Sequence, residues 1–247
     1  MSKKLRTRVA SAVKHFWETR TRQSERQGTA TGIRDSGNRT AATGGKQLDE
    51  LSLLIAQLLA EAGVPRESIH LTGLEPVTLP GYFRPTKRWD VVAVVNGNLI
   101  AAVECKALCG PSFGNNYNNR IEEALGSAAD LWTAYREGKF DRSPRPFLGY
   151  LLMLEEAPSS IRPVAVHEKH FPVFEEFRAA SYARRCEESI RRLVLERQYD
   201  AAALLLCSKD GGIRGKYREP ASDLTFERFA AIMTGHVAGS INAIRAT

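Results

Sequence analysis

Two acids and a lysine stand in this chain in a pattern that could hydrolyse a phosphodiester. Asp90 precedes an apolar run, Val91 to Val95, and Glu104-Cys105-Lys106 follows a second, Leu99 to Val103. The residues between the runs, Asn96-Gly97-Asn98, favour a turn, so the runs read as a β-hairpin. A carboxylate pair can hold a hard divalent cation such as Mg²⁺ through oxygen. A lysine beside it can orient a nucleophilic water or steady developing negative charge.

The hairpin has to meet a register requirement. Residues opposite one another in an antiparallel pair share a face. A two-residue Asn96-Gly97 loop sets Asp90 opposite Val103 and sends Asp90 and Glu104 to different faces, where no metal could bridge them. A three-residue loop, or a bulge with the same effect, pairs Val95 with Leu99 and sets Asp90 across from Glu104. Lys106, two residues on, shares the face of Glu104. The expectation is therefore the longer loop or the bulge. The pattern alone leaves two readings open, a metal site or a strand end that turns polar at solvent.

Other residues could assist. Asp49 and Glu50 open an apolar-striped helix, Leu48 to Ala62, where acids suit the helix dipole; Asp49 is the better candidate for a further metal ligand. Asn115, Asn116, Asn118, Asn119 and Arg120 crowd a turn-rich segment after Lys106. Asn can read adenine and Arg guanine, or both can grip phosphates; a plain turn is the alternative. Arg84, Lys87 and Arg88 lie just ahead of Asp90 and suit phosphate contact. The basic, glycine-containing stretch Lys209 to Arg218 is either a contact or a solvated turn. His167 and His170 have no acidic partners at ligand spacing and read as surface residues. Glu137-Gly138-Lys139 repeats the acid-x-lysine spacing at a helix end, where a surface role is expected. No phosphate-binding Gly-x-x-x-x-Gly-Lys loop is present, so nucleotide hydrolysis has no support.

The elements that position these residues follow from periodicity. Leu5 to Arg22 is an amphipathic helix, and Gln23 to Gly45 reads as a long loop carrying Arg34 and Arg39, with Lys46 just beyond. Residues 1–46 hold eleven Lys/Arg against three Asp/Glu, while the rest is nearly balanced. The positive charge thus belongs to residues 1–46, ahead of a core, 47–247; this segment suits a polyanion and is expected to be part of a DNA-binding region, the alternative being a solvated helix and tail with no partner. Ser68 to Leu79 is β-type. Helices are expected at Glu122 to Arg136, Phe171 to Gln198 and Phe226 to Ile244. Buried strands at Pro146 to Glu155 and Ala201 to Cys207 should lie at the centre of the sheet. The result is an α/β fold, a mixed β-sheet flanked by helices on both faces. No apolar run has the length of a membrane span. Four scattered cysteines, without a close second pair or a histidine for zinc, suit a reducing cytoplasm.

Several blocks together resemble the XhoI family of type II restriction endonucleases. They are Pro85-Thr-Lys-Arg-Trp-Asp90, Glu104-Cys-Lys106, Gly110-Pro-Ser-Phe-Gly-Asn-Asn-Tyr-Asn-Asn-Arg120 and Asp130-Leu-Trp-Thr-Ala-Tyr-Arg-Glu-Gly138. Gly44-Gly-Lys-Gln-Leu-Asp49 and Pro80-Gly-Tyr-Phe-Arg84 add to them. The resemblance implies a PD-(D/E)xK nuclease fold with Asp90, Glu104 and Lys106 in its catalytic positions, although Trp89 stands where that label has proline. It implies Mg²⁺ dependence; the expected ligands are Asp90, Glu104 and the Cys105 main-chain carbonyl, with Asp49 as a candidate further ligand, direct or through water. It further implies a homodimer that cuts double-stranded DNA at CTCGAG after the first C, leaving 5′-phosphates, and a companion DNA methyltransferase. The alternatives are a structure-specific or repair nuclease of this fold and a DNA-binding protein that does not cut.

Overall fold

Five strands form the central sheet in the order β1 (Ile69–Leu71), β4 (Val91–Val95), β5 (Asn98–Leu108), β6 (Phe147–Glu155) and β7 (Ala201–Cys207). A separate two-stranded ribbon pairs β2 (Thr78–Pro80) with β3 (Thr86–Arg88). The computed structural model describes residues 2–31, 47–72, 77–140 and 143–246, with the side chains of 26–31 left aside. Arg34, Arg39 and Lys46 lie outside the described residues.

The sheet is mixed: β1, β4 and β5 run antiparallel, while β5, β6 and β7 are parallel. Parallel neighbours need crossovers, and helices supply them. Helix α3 (Phe113–Arg136) leads from β5 towards β6, and α5 (Tyr182–Leu195), after the single turn α4 (Pro158–Ile161), leads from β6 to β7. These helices cover the face where Ala102, Leu148, Leu152 and Leu204 point. The other face, with Val103, Cys105, Leu151 and Leu205, is covered by α1 (Lys3–Thr31), α2 (Asp49–Glu61) and α7 (Phe226–Arg245). Both parities of β6 and β7 are apolar because both faces are buried. Val9, Val13, Phe16 and Trp17 of α1 belong to the same core as the sheet.

Four expectations need correction. First, α1 runs beyond Arg22 to Thr31, through residues expected in the loop. Gln, Glu and Arg there are good helix formers, and the apolar stripe can end before the helix does. Second, α3 begins at Phe113, nine residues before the expected start. Asn and Gly disfavour helix, but Phe113 is buried, and Tyr117 one turn on packs by Tyr182 and hydrogen-bonds Ser189 at 2.6 Å. Tertiary packing overrides propensity there. Third, residues 171–198 are not one helix: Pro172 lies in the leading segment, Ala179 has φ 52°, and Ser181 caps α5 by accepting from the Arg184 N–H. Fourth, β7 is an edge strand and not central. Its edge is closed by paired backbone bonds between Leu206 and Arg218, which returns the chain from the basic 209–218 stretch.

That stretch opens with the single turn α6 (Lys209–Gly212) and packs on α1. A Cβ at Gly212 would sit 1.9 Å from the Trp17 ring, which is buried and donates to Cys207 Sγ at 3.1 Å. Gly212→Ala should therefore lower stability by about 1–3 kcal/mol. Chemical denaturation checks this, and an unmoved midpoint would mean that α1 shifts freely off β7.

Candidate active site

The turn between β4 and β5 is the two-residue Asn96-Gly97 form. Both residues have positive φ, 51° and 78°, as the tight hairpin turn of matching twist requires. Taken alone, this register would separate the two acids. Val95 pairs with Asn98 and Val94 with Leu99, but Ala93 pairs with Ala101. Ile100 is thus an extra residue, a β-bulge, and from there the register continues to Val91 opposite Val103. Asp90 arrives at the level of Glu104. The three-residue loop does not form; the bulge has the effect it would have had.

Asp90 sits where the backbone is held from both sides. Its N–H donates to the Val103 carbonyl at 3.2 Å, and its own carbonyl accepts the Thr72 N–H at 3.1 Å. Trp89 before it is buried. The Asp90 carboxylate accepts the Cys105 N–H at 2.8 Å and lies 3.9 Å from Lys106 Nζ. Lys106 also contacts Glu104 directly, so both carboxylates address one ammonium. Glu104 is only 4 % exposed. Neither Glu104 nor Lys106 ends its strand: β5 continues to Leu108.

Electrostatics follow from this crowding. Burial and the facing Glu104 carboxylate push the Asp90 pKa up to about 6, against Lys106 and the Cys105 N–H. Burial opposes charge on Lys106, yet Glu104 and Asp90 outweigh it and hold its pKa above the ordinary lysine value. The buried Glu104 and the partly buried Asp90 bring carboxylate oxygens together at one place, a hard-oxygen donor set held by the lysines around it. Such a set fits a divalent cation.

Lys87, expected only as a phosphate contact, belongs to this cluster. Its Nζ is 2.7 Å from Glu104 Oε2, lies 4.3 Å from the centroid of the Trp89 ring, and donates to the Arg88 carbonyl. Burial lowers its pKa despite Glu104. Tyr150, beside Glu104 on β6, is buried and its hydroxyl has no partner among the described residues. Its signal was hidden inside an apolar run. Arg88 is exposed. Arg84 is tied to Asp130, with its Nε 2.7 Å from the carboxylate.

The asparagines do not lie on a loop. Asn115, Asn118 and Asn119 form an exposed stripe on the first two turns of α3, and Asn116 turns back to the Cys109 carbonyl. Arg120 pairs with Glu123 and is near enough to Lys106 to oppose its charge. Asp49 is exposed at the start of α2, whose buried stripe packs on the face opposite Leu152 and Ala102. Among the described residues no group of three His, Cys, Asp or Glu is placed to hold a metal.

A five-stranded mixed sheet with helices on both faces, carrying two acids and a lysine on its β4–β5 hairpin, defines a restriction-endonuclease-like protein. Residues 26–219 match the family described as restriction endonuclease XhoI, and the chain belongs to that family. It is 49% identical over 210 residues to the type II restriction enzyme BstVI of Geobacillus stearothermophilus, covering 83% of this chain and 93% of that one. It is 41% identical over 184 residues to the type II restriction enzyme XhoI of Xanthomonas vasicola, covering 74% and 73%. It is 44% identical over 164 residues to the type II restriction enzyme AbrI of Azospirillum brasilense, covering 66% and 72%. No solved structure matches the chain. No helix among the described residues is long and apolar enough to cross a membrane.

Proposed function

We propose that this protein, a restriction endonuclease by family, makes Mg²⁺-dependent double-strand cuts in DNA at CTCGAG, after the first C. The observation that carries the chemistry is the convergence of Asp90, Glu104 and Lys106, with Lys87 beside them. The site sequence rests on the resemblance to the XhoI family.

Asp90, Glu104 and the Cys105 carbonyl would hold the metal, with Asp49 joining through water. Bound there, Mg²⁺ lowers the pKa of a water and polarises the scissile phosphate. Lys106 shares both carboxylates, so it stands where its ammonium can donate to that water and orient it, the water's proton passing to solvent. Its elevated pKa keeps it charged at neutral pH and suits it to stabilise the pentacovalent phosphate. Lys87, beside Glu104, would offer a second ammonium to the same phosphate. The leaving oxygen is the 3′-hydroxyl, and the phosphate stays on the 5′ end. A palindrome calls for a two-fold homodimer with one site per strand. The host would need a companion methyltransferase to protect its own copies of the site, and cytoplasmic residence follows from the substrate. All four cysteines are free, as a reducing compartment requires.

Incubating the protein with plasmid and Mg²⁺, then sequencing the fragment ends, tests the reading. Discrete fragments ending at CTCGAG support it; a smear or cutting confined to branched DNA would favour a structure-specific nuclease; no cutting would leave a binding protein. The exposed stripe Asn115, Asn118 and Asn119 is the candidate reader of base edges, with Arg34, Arg39 and Lys46 as further contacts. Replacing those three asparagines with alanine should weaken discrimination by roughly 1–3 kcal/mol per lost bidentate contact. Competition between cognate and single-mismatch duplexes measures it, and unchanged discrimination would reduce the stripe to scaffold.

A further inference from the structure

The β2–β3 ribbon carries a feature that phosphodiester chemistry does not explain. Its five-residue loop, Gly81 to Pro85, holds Tyr82 and Phe83 out in solvent, 54% and 73% exposed. The rings brace each other edge-on, with centroids 5.0 Å apart. The backbone beneath them is fixed. Asp130, only 2% exposed in α3, accepts the Tyr82 N–H at 2.6 Å and the Phe83 N–H at 2.8 Å on one oxygen. Its other oxygen takes Arg84 Nε. Gly81 is required for this approach, because a Cβ there would lie 2.3 Å from the same carboxylate. A buried charge is costly to place, and here it holds two large apolar rings outside the core.

We propose that Tyr82 and Phe83 form a wedge that stacks into the DNA beside the cleaved bond. The inference rests on the endonuclease reading above. Two observations select DNA over another protein surface. The stretch Val77 to Arg88 has no acidic residue of its own, and although Arg84 pairs with Asp130 and Lys87 with Glu104, Arg88 is exposed on the ribbon that carries the rings, so the ribbon suits a polyanion. The same ribbon is continuous with the active centre, since Lys87 on β3 touches Glu104. Four residues of extended chain span at most about 13 Å, so the rings would reach bases within roughly four steps of a phosphate bound at the centre that Lys87 and Glu104 share. Apolar side chains inserted at a base step unstack and kink the duplex. Unstacking beside the cut would let the wedge feel the sequence through its deformability, without hydrogen bonds to bases.

The test uses full-length protein and cognate duplexes carrying 2-aminopurine at each position within four base pairs of the cut, with Ca²⁺ in place of Mg²⁺ to keep the duplex whole. Wild type and Phe83→Trp should raise the fluorescence severalfold at one step. The double variant Tyr82→Ala/Phe83→Ala should leave it at the free-duplex level and bind about tenfold or more weakly. Its thermal melt should match wild type, since both rings are exposed. A wild type that cuts plasmid yet gives no fluorescence change overturns the wedge alone. So does a double variant that still raises the signal, or one that only loses dimerisation in sedimentation. A wild type that neither cuts nor binds overturns the wedge and the endonuclease reading together.

Discussion

Glu104→Ala abolishes cleavage, by at least about a thousandfold, while binding to the cognate duplex persists or strengthens. The first half follows from the site chemistry. Among the described residues Glu104 is one of two side-chain carboxylates at the centre, and losing a preorganised charged group at a transition state costs on the order of 10²–10³ in rate even when the group is not a metal ligand. The second half is specific to this structure. Glu104 is the shared partner of Lys87 and Lys106. Removing it leaves two ammonium groups crowded in a half-buried site, each lowering the other's affinity for protons. A DNA phosphate is the natural replacement counter-ion. Asp90→Ala also stops cleavage but keeps the Glu104–Lys87 pair, so its affinity should stay near wild type. Plasmid cutting and gel-shift titration of the two variants side by side give the answer. Near-normal cutting by either variant would refute the carboxylate assignment, and weakened binding by Glu104→Ala would refute the counter-ion argument.

The contrast between those variants depends on a residue that sequence reasoning placed only in part. Lys87 could be assigned to phosphate contact because it is basic and close to Asp90. Its entry into the carboxylate cluster depends on the β2–β3 ribbon folding back, and nothing in a three-residue strand announces its partner. The acids themselves were legible because strand alternation is strict: once both runs are strands, only registers that bring Asp90 to Glu104 can make a site. The device that achieves it was not legible in detail. Asn-Gly is a strong signal for the two-residue turn, and the turn obeyed it; the compensating bulge at Ile100 is set by pairing along β5, where Ala101 onward must also match β6. The helix onset at Phe113 was missed for the opposite reason. Local composition there says turn, while Phe113 and Tyr117 bury against neighbours distant in sequence.

Asp130→Ala should be the most damaging change outside the active centre. It would leave the Tyr82 and Phe83 N–H groups and the Arg84 guanidinium without their acceptor. Charge-assisted bonds of this kind carry more than neutral ones, and the half-exposed Arg84 contributes least because water screens it. A loss of about 3 kcal/mol is expected by chemical denaturation, together with weaker DNA binding as the aromatic loop loses its anchor. Asp130→Asn separates the parts. The oxygen facing the two backbone groups is kept, but an amide now confronts Arg84, so the loss should be smaller. The pH dependence carries the same signature. Burial pushes the Asp130 pKa up, but the bonds from Arg84, Phe83 and Tyr82 outweigh it and hold it below the usual carboxylate range. A depressed carboxylate stabilises the fold fully above its unfolded pKa, about 3.9, and loses that contribution as pH falls from there through the folded value. Stability profiles of wild type and Asp130→Asn should therefore run parallel above about pH 5 and converge below pH 4. Profiles that stay parallel into acid would show that the loop is held by its backbone and rings and not by the Asp130 charge.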